Sequence, residues 1–282
     1  MNERPAHRKY LGGDARQRAR GEVRAEFSTA GSRTYLRTVY QTGGMRLGMP
    51  KSGAAAEAVL INTGGGMAGG DRTLLDFLIA PGAHASVTTQ SAEKIYRSDG
   101  EAALIRCRLR VGSSGRFEWL PQETILFEGA VLTRNMRVDV GEDAGLLMME
   151  ATTFGRTAFG EDRINAVVRD SWRVYRGGRL AFAEEIRFDA AGHALQRRAV
   201  AERARAMFSV LLVAKDPQTA LSVLRGAFSD CTDESEPLEW GASIVAGVVV
   251  GRAVSSSPTE LRSGFNRVAS ILRARPVPRS WQ

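Results

Sequence analysis

Along most of this chain apolar residues recur at every second position, in short runs closed by Gly, Pro or Ser. Ile105-Arg106-Cys107-Arg108-Leu109-Arg110-Val111 alternates strictly. That puts Ile105, Cys107, Leu109 and Val111 on one face of a strand and three arginines on the other. Met136-Arg137-Val138-Asp139-Val140 alternates in the same way, and residues 35–40, 85–90, 117–120, 124–127 and 146–149 read as further strands. Trp172 to Tyr175 and Leu180 to Phe182 flank Gly177-Gly178, a two-residue hairpin turn. No helix-length spacer separates the strands before about residue 190, which argues against a doubly wound sheet and favours packed antiparallel or solenoid-like sheets.

The last third changes period. Phe208 to Val213 and Ile244 to Val250 read as buried strands. Asp216-Pro217 predicts a helix start, an N-cap acceptor followed by proline at the first helical position, with Leu221, Leu224 and Phe228 on one face. Ser257-Pro258-Thr259-Glu260 reads as a capping box, with Glu260 reaching back to the Ser257 N–H, ahead of Leu261, Phe265, Val268 and Leu272 at helical spacing. The expected fold is therefore mainly β: stacked antiparallel sheets in a β-solenoid-like body, with two α-helices near the C-terminus as part of a lid. Residues 1–22 are polar and aperiodic and are expected to be a disordered basic tail, leaving 23–282 as one domain.

Composition narrows the function classes. The 282 residues carry a net charge of +8, almost all of the positive charge on arginine; the lysines are Lys9, Lys51, Lys94 and Lys215. The basic residues are spread out, and no aromatic–basic interleaving that would stack bases is visible, so no nucleic-acid partner is expected. No apolar run approaches the roughly 18 residues of a membrane span, and the Arg-rich N-terminus lacks a signal-peptide core, so no membrane partner is expected. Two distant cysteines, Cys107 and Cys231, make no disulfide framework, and the expected compartment is the cytoplasm.

One stretch stands out: Asn62-Thr63-Gly64-Gly65-Gly66-Met67-Ala68-Gly69-Gly70-Asp71. Each glycine gives up backbone freedom on folding, so such a run marks positive φ or close approach of another group. Gly64-x-Gly66-x-x-Gly69 fits a dinucleotide fingerprint, which would make the chain a dinucleotide-binding enzyme. That fingerprint requires a helix after the last glycine, and the space before Pro81 is too short for a parallel crossover. The other readings are a tight turn between two antiparallel strands and a loop that docks a partner's backbone; spacing does not separate these two.

Catalytic and metal motifs are sparse. His7, His84 and His193 pair with neither each other nor a cysteine at metal-ligand spacing, and there is no Gly-x-Ser-x-Gly elbow or HExxH. His84, after a Pro-Gly turn, is expected at a surface or edge. Carboxylates remain: Asp71 closing the glycine run, then Glu93, Glu118, Glu123, Glu128 and Glu161. Oxygen donors of this kind suit a hard or borderline cation held loosely. Asp71 also suits closure of the glycine turn, Lys94 a salt-bridged edge or an interface, and Trp119 the core.

Taken together the blocks resemble the UreD (UreH) family of urease accessory proteins. The glycine run is similar to that family's glycine motif. Thr88-Thr89-Gln90-Ser91-Ala92-Glu93-Lys94-Ile95-Tyr96-Arg97 is similar to its TT-x-x-x-x-K-x-Y segment, and Glu118-Trp119-Leu120-Pro121-Gln122-Glu123 to its EWLPQE block. Phe154-Gly155-Arg156, Ala158-Phe159-Gly160-Glu161 and Pro278-Arg279-Ser280-Trp281 follow in family order. The resemblance implies a non-enzymatic maturation factor with no tightly bound cofactor, through which nickel passes in transit. Its implied partners are the urease apoprotein, UreF and, through UreF, the GTPase UreG. It marks Gly64, Gly65, Gly66, Gly69, Gly70, Asp71, Thr88, Thr89, Lys94, Tyr96, Trp119, Pro121, Gln122, Glu123, Gly155, Arg156, Gly160 and Glu161 as structural or partner-binding residues. Asp71, Glu93, Glu118 and Glu161 are then candidates for a nickel path, since a conduit needs weak oxygen donors rather than a tight His/Cys cluster.

Overall fold

Alternating strands of this length need two apolar faces turned toward each other, and the chain supplies them by crossing repeatedly between two sheets. The structure, a computed structural model, describes residues 17–50, 55–156, 159–161, 164–188, 204–231 and 238–281. Strands β1 (Arg20–Ala30) and β2 (Arg33–Thr42) open the first sheet; β3 (Met45–Gly48) and β4 (Ala56–Asn62) lie in the second. The chain returns to the first sheet for β5 (Arg72–Ile79), β8 (Ala103–Val111), β11 (Val131–Val140) and β13 (Val167–Arg176). Between these returns it runs through the second sheet as β6 (His84–Thr89), β7 (Glu93–Ile95), β9 (Arg116–Leu120), β10 (Thr124–Leu126) and β12 (Gly145–Phe154).

The body is solenoid-like, as the strand spacing implies, but its central pairing is parallel rather than antiparallel. β1, β5, β8, β11 and β13 are parallel neighbours, as are β4, β6, β9 and β12. Ile79 stands opposite Val111, and Val111 opposite Val140, so each turn of roughly thirty residues stacks on the one before. A parallel pair needs a long connection; here a strand of the opposite sheet supplies it, which is why no helix-length spacer appears. Antiparallel pairing is confined to the ends: β1 with β2, β3 with β4, and β13 with β14 (Arg179–Phe188) across the expected Gly177-Gly178 turn, along with the C-terminal strands. The N-terminal residues 1–16 lie outside the described residues, and Arg20, Gly21 and Glu22, assigned by sequence to the tail, stand in β1.

The inner faces fill the space between the sheets. Phe27, Phe77, Leu109, Val138 and Val174 from the first sheet meet Val87, Phe117, Trp119 and Met148 from the second, all buried. Cys107 belongs to this core, two residues from Leu109 as the alternation predicts, and Ile105 packs half-buried on a neighbouring cluster.

The C-terminal elements extend the second sheet instead of forming a separate lid. β15 (Ala206–Val213) pairs with β12, and β17 (Val248–Ser255) and β16 (Glu239–Val245) continue outward. The stretch read as one strand, Ile244 to Val250, is a hairpin: Ala246 and Gly247 adopt φ of 47° and 81°, which turns the chain between β16 and β17. Helix α1 (Pro217–Ser229) starts where expected, with the Asp216 carboxylate accepting from the N–H groups of Gln218 and Thr219. At α2 (Pro258–Arg273) only half of the capping box forms. Ser257 Oγ accepts from the Glu260 N–H, but the Ser257 N–H donates to Ser255 Oγ at 3.0 Å. Both helices pack on the outer face of the second sheet, where Phe208 meets Phe228 at 5.7 Å and Phe265 at 5.4 Å.

Candidate functional site

The solenoid period brings the glycine run, the segment around Lys94 and Tyr96, and the stretch from Phe154 to Glu161 to one corner. The glycine run leads from β4 in one sheet to β5 in the other, so it is a corner and not the turn of an antiparallel hairpin. β5 begins at Arg72, immediately after the run, so no helix N-terminus faces the loop and the dinucleotide reading loses its physical basis. Met67 bridges Ile95 of the next turn, with the Met67 N–H donating to Lys94 O at 2.7 Å and the Tyr96 N–H to Met67 O at 2.8 Å. β7 in turn pairs with β10, and β10 with β12, aligning Glu93, Thr124 and Thr152. Farther along, the Ser98 N–H donates to Gly129 O, the Gly129 N–H to Asn165 O, and the Gly155 N–H to Leu126 O.

This stacking explains the glycines. A Cβ on Gly66 would lie 2.6 Å from the Tyr96 ring and 2.8 Å from Lys94 O; one on Gly69 would lie 2.5 Å from Glu101 O. Gly70 combines φ of +86° with a Glu101 carboxylate in the way. These three glycines admit the next turn of the chain itself, while Gly65, at φ of +71°, has open space around it. Tyr96 Oη donates to Gly65 O at 2.9 Å, and its ring meets Phe127 edge-on at 5.2 Å. The Arg156 guanidinium lies over Phe127 at 4.2 Å and over Phe159, which is 76% exposed, at 5.0 Å. Lys94 is exposed beside them. Ala158 lies outside the described residues, as do His7 and His193.

The four candidate carboxylates occupy different surroundings. Asp71 is a clamp: Oδ1 accepts from the Ala19 N–H and Oδ2 from the Ala68 N–H, both at 2.8 Å, tying the start of β1 to the glycine corner. Glu161 closes its own loop, accepting from the Arg156 backbone N–H and guanidinium, which hold its carboxyl below the usual range. A Cβ on Gly155, where φ is +85°, would strike Glu161 O. Glu118 lies beneath the end of α2: Oε2 accepts from Arg273 at 2.9 Å and Arg275 at 2.7 Å, and His84 Nε2 is 3.6 Å from Oε1. Burial alone would raise its pKa, but His84 and the two arginines outweigh burial and hold it at about 2. His84 thus stands half-exposed at the start of β6, at the surface as its position after a Pro-Gly turn suggests, but on a strand flanked by β4 and β9 and not at a sheet edge.

Glu93 pairs with no arginine among the described residues. Its two oxygens accept from the Asn62 side-chain amide at 3.0 and 3.1 Å, while Asn62 Oδ1 accepts from the Gly64 N–H. Burial raises its pKa to about 7, and Asn62 and Lys94 offset this only in part. The four carboxylates do not assemble into one centre: among the described residues no group of three or more His, Cys, Asp or Glu side chains is placed to hold a metal ion.

Thr88, Thr89 and Gln122 serve the C-terminus. Gln122 Nε2 donates to Gln90 O at 2.9 Å and Ser280 O at 3.0 Å, its N–H donates to Thr89 Oγ1, and Trp281 Nε1 donates to Thr88 Oγ1. Glu123 pairs with Arg262 of α2 at 3.3 Å, and Pro121 is buried. Trp119 is core, 4% exposed, and its Nε1 donates to Glu150 Oε1 at 2.7 Å.

That last contact leads to a cluster the sequence reading missed. Between the sheets Arg134 donates to Glu150 and Asp170, both at 2.5 Å, and Trp172 Nε1 donates to Asp170 at 3.0 Å. All three charged groups are buried. One cation faces two carboxylates here: burial pushes Glu150 up, and the carboxylates outweigh burial to push Arg134 up. The signal was available in the alternation. Arg134 shares parity with Leu132, Met136 and Val138, Asp170 with Val168 and Trp172, and Glu150 with Met148, so each is an inward position carrying a charge.

The comparisons with known proteins agree with the blocks. A family model described as "UreD urease accessory protein" matches residues 19–282. Among curated relatives, the urease accessory protein UreD of Methylobacterium sp. is 42% identical over 270 residues, covering 95% of this chain and 96% of the relative. That of Azorhizobium caulinodans is 38% identical over 272 residues, covering 96% and 98%. That of Rhizobium etli is 37% identical, covering 94% and 96%. With the match running through all of its motif blocks, this chain belongs to the UreD family of urease accessory proteins.

Proposed function

We propose that this chain is a non-catalytic maturation factor for urease. It binds the urease apoprotein and, with UreF and the GTPase UreG bound through UreF, supports nickel insertion into the urease active site in the cytoplasm. The observation that carries this reading is the stacked corner. Residues from successive turns meet there in a continuous face of Tyr96, Phe127, Arg156 and Phe159, and the chain's own next turn fills the space beside Gly66, Gly69 and Gly70. A rigid aromatic and guanidinium surface of this kind suits a protein partner.

Nickel is cargo in this reading, and the candidate carboxylates differ in their availability to it. Asp71 is saturated by backbone N–H groups, and Glu118 and Glu161 are neutralised by arginines. Glu93, held by the Asn62 amide, is the oxygen donor that an incoming divalent cation would ionise and leave again. The test is co-expression of the tagged chain with urease apoprotein, UreF and UreG, read by size exclusion, bound nickel and urease activity. Co-elution with both urease and UreF is expected. Glu93→Ala is expected to keep the complex while lowering nickel delivery; unchanged delivery removes Glu93 from the path. Failure of the folded wild-type chain to bind either partner would overturn the scaffold reading itself.

A further inference from the structure

Among the described residues no helix or strand covers the outer face of the first sheet. Both helices lie on the second sheet, at the opposite side of the molecule. Sheets whose strands run parallel usually have both faces covered, because their crossover elements lie on them. Here the crossovers are strands of the other sheet, and among the described residues nothing packs over the outward positions of β1, β5, β8, β11 and β13.

Those positions carry arginine in lateral register. Arg24, Asp76, Arg108, Arg137 and Arg173 stand opposite one another across five adjacent strands, three of the arginines consecutively. Like charges directly opposite each other destabilise a sheet. Asp139 relieves part of this, accepting from Arg137 at 2.9 Å and from Arg108 at 3.4 Å, and Arg137 stacks on Tyr175 at 4.3 Å. Arg72, Arg106 and Arg169, on the neighbouring rungs, have no carboxylate partner among the described residues. Grooves of about 520 and 290 Å³ run over this face and share Glu22, Leu74 and Arg106.

We infer that this face docks an acidic protein surface. The forked guanidinium groups match carboxylates two bonds at a time. Leu74, 41% exposed in the shared groove, and Tyr40, 55% exposed at its edge, offer apolar contact. Glu22, Asp76 and Asp139, interleaved with the arginines and paired with them, break up the positive field that a continuous phosphate backbone would need. The inference does not depend on the corner described above, which it does not include.

The experiment uses the full chain and a fluorescein-labelled peptide of glutamate with interspersed leucine, read by anisotropy at low and moderate salt. Arg106→Gln/Arg108→Gln/Arg169→Gln is compared with a control of equal charge change on the helical side, Lys215→Gln/Arg225→Gln/Arg267→Gln. The expected result is salt-sensitive peptide binding that weakens by at least about tenfold in the first variant and by less than about twofold in the control. The single substitution Arg106→Gln, at an exposed position, guards against misfolding and is expected to weaken binding by about threefold. Equal weakening in both triple variants, or no binding by the wild type, would overturn the inference. So would tighter binding of duplex DNA than of the peptide at the same salt, which would make the face a polynucleotide surface.

Discussion

Glu93 offers the sharpest test of the corner, because burial and charge there act against each other within an accessible pH range. Its carboxyl sits at about 7 against an ordinary value of 4.5. Between those values the native protein keeps a proton that the unfolded chain has released, so stability falls as pH rises through the window. The displacement corresponds to about 3 kcal/mol once the pH exceeds 7. Glu93→Gln removes the charge and keeps an oxygen to accept from Asn62. Urea unfolding followed by tryptophan fluorescence from about pH 5 to about pH 8.5 is the assay. The variant is expected to track the wild type at the acid end and to exceed it by up to about 3 kcal/mol at the alkaline end. A difference independent of pH, or a variant less stable than the wild type at the alkaline end, would refute burial as the dominant influence on Glu93.

The other buried charges and glycines make separable predictions. Glu118→Gln leaves Arg273, whose side chain is 1% exposed, with Glu57 at 3.8 Å as its remaining carboxylate among the described residues, and is expected to cost about 3–5 kcal/mol at neutral pH. Because the Glu118 pKa is lowered, the wild type loses that advantage as pH falls from 4.5 toward about 2, so unfolding curves of parent and variant should converge in acid. Arg134→Met strands two buried carboxylates and is expected to cost about 3–5 kcal/mol, whereas Arg134→Met/Glu150→Gln/Asp170→Asn should recover most of it, measured by urea unfolding of both. Gly69→Ala drives a methyl against Glu101 O and should destabilise by about 1–3 kcal/mol, while Gly226→Ala, within α1 with open space around it, should stabilise by about 0.5–1 kcal/mol, read as thermal midpoints.

Local chemistry settled much of this protein in advance. The period-two alternation determined that the body is β and which side of each strand faces inward, because side chains leave a strand on alternate faces. Asp216-Pro217 determined the start of α1, since the cap satisfies N–H groups a few residues away. Tertiary structure decided what depends on pairing across distance. Alternation is blind to strand direction, so stacked sheets were legible while the parallel register of β5, β8 and β11 was not. The break at Ala246-Gly247 was hidden within an unbroken apolar run, because the turn is a backbone conformation that apolar residues on either side do not announce. The glycine run was visible from the first reading, but only the stacking of Tyr96 and Glu101 over it reveals that the chain itself fills the space. Asp71, Glu93, Glu118 and Glu161 look alike as letters. Their differences come from what the fold puts opposite each: backbone N–H groups, an amide, or an arginine more than a hundred residues away, as Arg273 is from Glu118.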